Sequence, residues 1–163
     1  MIAVGSCSAI LLSKASIFER FLSEYDVCMS ESVFEEVMEG KKKLLSDALL
    51  IERLHKEGKV RVSKADDRMT KVIAKGFNMG DGEASTLALA LEHKGLIVAT
   101  DNRQGRKAAE IHDVPMVGSV EILVRLFEKG KIDREKAVGA MRILKEQGWF
   151  EQYLIEEAMG RLR

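Results

Sequence analysis

The chain has 163 residues, 46% of them hydrophobic, with one proline, which suits one compact domain able to bury its own core without metal or disulfide support. Lysine and arginine number 26 and aspartate and glutamate also 26, so no overall field draws the protein onto nucleic acid or an acidic membrane, and any such contact has to come from a local patch. Cys7 and Cys28 have no CxxC partner and no histidine at metal-ligand spacing; with no basic leader and no apolar run near the roughly 20 residues of a membrane helix, reduced thiols in the cytoplasm are expected.

Ile2-Ala3-Val4 reads as a first strand that breaks at once into Gly5-Ser6-Cys7-Ser8. Residues 9–24 place Ile10, Leu11, Ile17, Phe18, Phe21 and Leu22 at helical spacing and predict one amphipathic helix. "YDVCMS" is a second strand. "SESVFEEVMEG" follows as an acidic helix with Ser30 or Ser32 as N-cap, Glu35 completing a capping box from Ser32, and Gly40 as the stop.

Residues 42–57 repeat leucine and isoleucine with helix period, and "KVRVS" alternates as a third strand. Helices are predicted over 66–76 and 81–94, the second opening at Asp81-Gly82-Glu83 and carrying the small-residue face of "ASTLALALE". "GLIVATDN" has the unbroken apolar character of a strand buried on both faces, and "VPMVG" is the last strand. Three glycine-divided helices close the chain from about residue 119.

Strands alternating with helices predict an α/β fold, a three-layer α/β/α sandwich with a mostly parallel central sheet and a helical C-terminal tail, in a single domain 1–163. In such folds ligands bind beyond the carboxyl ends of the strands, which directs attention to Gly5 and Asp101. Near those tips and the neighbouring helix starts stand Glu36, Glu83 and Asp101. Carboxylates converging without histidine or thiolate suit hard, oxygen-seeking Mg²⁺ or Mn²⁺, ions that promote phosphodiester hydrolysis.

Each acid also has a plainer reading. Glu36 lies in an acidic helix where most glutamates are solvated, Glu83 is a first-turn acid favoured by the helix dipole, and Asp101 can cap the helix that follows it. Asp81 could lend a carboxylate, although an N-cap role explains it more simply. Asn102 either caps a helix or reaches a metal-bound water, and Thr100 and Ser6 are candidates for supporting or phosphate contacts. Lys41-Lys42-Lys43 and the group Arg103, Arg106, Lys107 are the local basic patches; Arg103, Arg106 and Lys14 are the first choices for phosphate contacts. His55, His93 and His112 read as surface residues, and the methionines, Trp149 and Phe150 as core or subunit-contact residues.

The order of elements and the local motifs resemble a PIN domain, the fold of many prokaryotic VapC-like toxin ribonucleases, over nearly the whole chain. "GSCSAILLSK" is similar to an Asp-Ser-Ser-like first motif of that family in length and in its lysine, Lys14, but has Gly5 where the acid stands. Glu36 matches the second acid, Glu83 in "GEA" the third with its partner alanine at Ala90, and Asp101 before Asn102 the fourth. "RQGRKAAEIHDVPMVGSVEILVRLFEKGKI" and "AMRILKEQG" carry the likeness further.

The resemblance implies a divalent-metal-dependent endoribonuclease with Glu36, Glu83 and Asp101 as catalytic metal ligands and a lost ligand at Gly5, hence an ion weakly bound or absent and activity weak or lost. It also implies RNA or an antitoxin-like protein as partners; from the residues themselves, no membrane is expected and the apolar tail helices suit a homodimer interface. The rival expectation is a non-catalytic PIN-fold module that binds RNA or protein. Natural decay and a substitution introduced to silence a nuclease would both leave this glycine. An ordinary nucleotide-binding domain fits less well, since "VGSCSA" lacks the glycine spacing of a dinucleotide loop and no Walker lysine motif occurs.

Overall fold

The computed structural model describes residues 1–43 and 45–163. The helix expected over 42–57 begins later, as α4, Ser46–Lys56: Lys42 and Lys43 form the turn after the preceding helix, Leu45 is the N-cap, and Leu44 lies outside the described residues. The strands are β1 (Ile2–Val4), β2 (Val27–Ser30), β3 (Arg61–Ser63), β4 (Ile97–Ala99) and β5 (Met116–Val117), each within a segment expected to be extended. The remaining helices are α1 (Ser6–Lys14), α2 (Phe18–Glu24), α3 (Glu31–Lys41), α5 (Asp67–Phe77), α6 (Asp81–Glu92), α7 (Arg103–Ile111), α8 (Ser119–Glu128), α9 (Arg134–Gln147) and α10 (Gln152–Arg161).

The strands form one sheet in the order β3-β2-β1-β4-β5, with every pairing parallel. Successive side chains alternate between the faces. Ile2, Val4, Val27, Met29 and Ala99 enter a core shared with α1 to α4 and α8 to α10, while Ala3, Cys28 and Val98 enter a second core under α5, α6 and α7. Helices on both faces of a parallel sheet make the three-layer sandwich, and the tail helices belong to the first core through Leu123, Leu126, Met141, Leu144 and Ile155. Phe18 and Phe21, both fully buried there, each contribute on the order of 1.5–3 kcal/mol by leaving water.

The helix expected over 9–24 is two helices. α1 stops at Lys14 because the backbone closes on itself: Ser16 N–H donates to Ser13 O at 2.9 Å and Ile17 N–H to Leu12 O at 3.0 Å. This is the Schellman pattern, with Ser16 in the left-handed region at φ 55° and buried Ile17 following it. The start of α3 also differs from expectation. Ser30, not Ser32, is the cap, accepting from Val33 N at 3.1 Å, so Glu35 closes no box. Asp81 is not a cap either, since Gly80 precedes α6 and Asp81 is its exposed first residue.

His93 and His112 are exposed as expected, but His55 is half-buried, its ring 4.7 Å from Phe34 and its Nδ1 2.9 Å from Val60 O. Met141 is buried, Met159 is exposed and Trp149 is fully exposed, so Trp149 is no core residue. Among the described residues no helix is long and apolar enough to cross a membrane.

Candidate active site at the carboxyl edge of the sheet

β1 leads outward to β2 on one side and is flanked by β4 on the other, so the chain order reverses between β1 and β4. A crevice opens at such a switch point beyond the strand ends. The register pairs Val4 with Ala99, and Gly5 N–H donates to Ala99 O at 2.9 Å, which brings Gly5 and Thr100-Asp101 side by side at the edge. Three helices, α1, α6 and α8, begin after glycine (Gly5, Gly80 and Gly118), and none has a side-chain cap of its own. A helix start leaves N–H groups without intrahelical acceptors, and two of these three are served by acids from elsewhere.

The first of those acids is Glu36 on α3. It accepts from Gly82 N at 3.2 Å, and its carboxylate rests on the α-carbon of Gly82, where a β-carbon would lie 2.5 Å from either oxygen. The second is Asp101, at the end of β4. It accepts from Ser8 Oγ at 2.6 Å, from Ser119 N at 2.8 Å and from the Ser119 hydroxyl by a short bond. Asp101 thus ties α1 and the start of α8 to the sheet.

Glu83, third residue of α6, lies between them. Its Oε2 accepts from the Thr100 hydroxyl at 2.8 Å, while its Oε1 is buried with no hydrogen-bond partner among the described residues. Burial pushes the Glu83 carboxyl above its usual range; the Thr100 hydroxyl pulls it back, and the charges of Glu36 and Asp101 push it up further. A β-carbon on Gly5 would lie 2.8 Å from Glu83 Oε1, so Glu83 fills the space a side chain at position 5 would take. Cys7, an exposed thiol on the first turn of α1, is pushed up to about 11 by desolvation and then by Asp101 and Glu83.

Thr100 is fully buried and works in two directions, donating to Glu83 and accepting from Asn102 N at 3.1 Å. Asn102 caps α7, accepting from Gln104 N at 2.9 Å and Gly105 N at 3.0 Å. Arg106 reaches the Asp101 side of the edge: a β-carbon on Gly118 would lie 3.1 Å from both Arg106 Nη1 and Asp101 Oδ1. Arg103 is exposed at the start of α7, and Ser6 is half-buried at the start of α1. Lys14 is apart from this group. It closes α1, roughly 12 Å along the helix from Ser6 at 1.5 Å per residue, and its Nζ lies 3.3 Å from Gln147 on α9.

Ser8, Ser119, Gly82 and Gly105 join the edge without having been singled out in the sequence. The available signals were the serine three residues beyond Gly5 and the serine directly after Gly118.

The donor chemistry of the edge is all carboxylate and hydroxyl oxygen, suited to a hard divalent ion, and Glu83 Oε1 is a buried oxygen in want of a partner. The number of donors is smaller than the kind suggests. Among the described residues no three histidine, cysteine, aspartate or glutamate side chains stand together as a metal-holding group. Glu36 and Asp101 each give oxygens to helix starts, and the place beside Glu83 is a glycine.

No curated protein and no solved structure matches the chain. The family model DUF3368, described as a PIN domain, matches residues 2–162, and the chain therefore belongs to the PIN-domain family.

Proposed function

We propose that the protein is a PIN-fold endoribonuclease with a degenerate acid site, its hydrolysis weak or lost. The observation that supports this most is that Glu83 lies against Gly5 and within reach of the charges of both Glu36 and Asp101. An ion of Mg²⁺ or Mn²⁺ at Glu36, Glu83 and Asp101 would be held weakly, since these acids do not stand together as a metal-holding group; when bound it supplies Lewis-acid activation of water against a phosphodiester. Magnesium commonly accepts one or two protein carboxylates with water completing its shell, so such a site would not need all three acids at once.

The chain's own residues do the remaining work. Thr100 fixes one oxygen of Glu83, and Ser8 and Ser119 fix Asp101. Arg106 and Arg103 offer cations at the same edge for the phosphates of a single strand, which positions it without reading its bases. Lys14, at the far end of α1, could meet only a strand that continues past the crevice. A toxin-like role, with an antitoxin-like protein as partner, a homodimer and a cytoplasmic setting, belongs to this same reading.

A second reading, a non-catalytic module that binds RNA or protein, draws support from Asp101. Its oxygens already receive three hydrogen bonds, as in a structural clasp. Cleavage of a mixed single-stranded RNA pool with Mn²⁺, using this chain, Gly5→Asp, Gly5→Asp with Asp101→Asn, and an EDTA blank, separates the two. Cleavage abolished by EDTA and raised on the order of 100-fold by Gly5→Asp, the scale of rate lost to small misplacement, is expected. Silence in a folded Gly5→Asp variant that binds Mn²⁺ would leave the binding module.

A further inference from the structure

The two oxygens of Glu83 each press against a glycine. Oε1 lies 2.8 Å from where a β-carbon on Gly5 would be, and Oε2 lies closer still to the β-carbon position of Gly105, which is also 3.0 Å from Thr100 Oγ1. Real β-carbons do not come within 3.0 Å of a non-bonded heavy atom of a distant residue, so a methyl group at either position requires Glu83 to move. Neither glycine is there for its backbone conformation. Gly5 has φ −77° and ψ 161°, open to any residue, and Gly105 lies inside the first turn of α7, where glycine is a poorer helix former than alanine.

The exposed Gly139 of α9 makes a useful contrast, since its β-carbon would meet nothing within 4 Å among the described residues. Gly105 is instead buried, and what its missing side chain leaves room for is the Glu83 carboxylate.

We infer that Gly5 and Gly105 are positioning residues, two bare walls of a slot that keeps Glu83 drawn back against Thr100, so that a side chain at either position drives the carboxylate out. The inference deepens the acid-site reading, on which the interest of Glu83 rests, but the slot itself stands on packing alone. It follows that position 5 and Glu83 compete for one space. Replacing Gly5 by aspartate does not add a fourth carboxylate to an unchanged trio; it caps α1 and relocates Glu83 in the same step.

The test is a thermal double-mutant cycle without metal, on wild type, Gly105→Ala, Glu83→Ala and the double variant, with Gly139→Ala as the reference for helix propensity. Gly105→Ala alone is expected to lower Tm by several degrees, and in the Glu83→Ala background to leave it unchanged or raise it, as Gly139→Ala does. Equal losses in both backgrounds would overturn the inference, because the obstruction would then be Thr100 or the backbone. Should Gly105→Ala fail to fold, Gly5→Ala enters the same cycle, where its capping change is common to both backgrounds and cancels.

Two further readouts go beyond stability. The side-chain carboxyl ¹³C resonance of Glu83 is expected to shift in Gly5→Ala and not in Gly139→Ala, and Glu83→Asp, whose shorter side chain withdraws the carboxylate, is expected to restore the Tm of Gly105→Ala. An unmoved resonance would overturn the slot. Titration of the same proteins with Mn²⁺, followed by its electron paramagnetic resonance, tests the acid-site reading separately. Coupling in the cycle with no Mn²⁺ bound by any variant would sink the metal reading and leave the slot intact.

Discussion

Replacing Asp101 by alanine removes the acceptor of three hydrogen bonds at once, and the cost can be worked from who is left without a partner. Ser119 N–H sits at the start of α8, where Gly118 offers no side-chain acceptor, so the loss there resembles that of an N-cap, about 0.5–2 kcal/mol. The hydroxyls of Ser8 and Ser119 both donate to the ionised carboxylate, and hydrogen bonds to a charged group contribute about 1.5–3 kcal/mol each. Ser8 and Ser119 are both fully buried, so neither hydroxyl can turn to water, and the three losses together come to about 3.5–8 kcal/mol. For a chain of this size that is a fall in Tm of at least about 7 °C. Asp101→Asn keeps an oxygen for Ser119 N–H and presents an amide to hydroxyls that can accept as well as donate, so it is expected to cost about 1 kcal/mol, or about 2–4 °C. Calorimetric or circular-dichroism melting at pH 7.5 measures both. An Asp101→Ala melt within about 2 °C of wild type would refute the clasp, since Ser119 is fully buried and no water takes the place of the lost acceptor.

Two further outcomes come from the electrostatics of the edge. Glu83 has its carboxyl raised in the folded state, so the fold binds its proton more tightly than the unfolded chain does, and stability is lost as pH rises from the unfolded value of 4.5 through the folded one. Glu83→Gln removes that penalty and is expected to melt higher than wild type at pH 8, with the gap closing below about pH 4.5; a gap independent of pH would refute the burial argument. Cys7 is exposed but its thiol is pushed up to about 11, so at pH 8 only roughly one molecule in a thousand carries the thiolate. In a Cys28→Ser background its alkylation by iodoacetamide is expected on the order of 100-fold below that of a simple peptide thiol; equal rates would show that burial and the two acids do not reach it.

Most of the fold was legible because its signals are local. Alternation and unbroken apolar runs placed the five strands found among the described residues, and Gly58 and Gly130, both at positive φ, ended α4 and α8 where glycine is the common left-handed residue. The break after Lys14 was hidden because a serine does the same job at Ser16. Glu36, Glu83 and Asp101 could be picked out by type and by their place near strand tips. What each carboxylate touches could not, since Ser119 is 18 positions from Asp101 and Gly82 is 46 from Glu36. Such contacts are set by how three helices meet the sheet edge. A capping pattern is read within four residues, whereas these caps come from other elements. The displacement of Lys14 has the same origin, as proximity in sequence to Gly5 becomes the length of a helix in space.

The second core is rich in alanine where the helix meets the sheet. Ala3 and Cys28 on the sheet meet an α6 whose buried residues include Ala84 and Ala88, and α6 packs on both β1 and β2. Interiors are close-packed, so these four side chains act as a spacer of fixed thickness beneath the helix. That thickness sets the height at which Glu83 leaves α6 and meets Gly5. A single added methyl group in this layer has no water to displace and no loop to absorb it; the nearest yielding part is the open end of the helix, so drift at these buried positions would retune the crevice from below while the rest of the molecule stayed as it is.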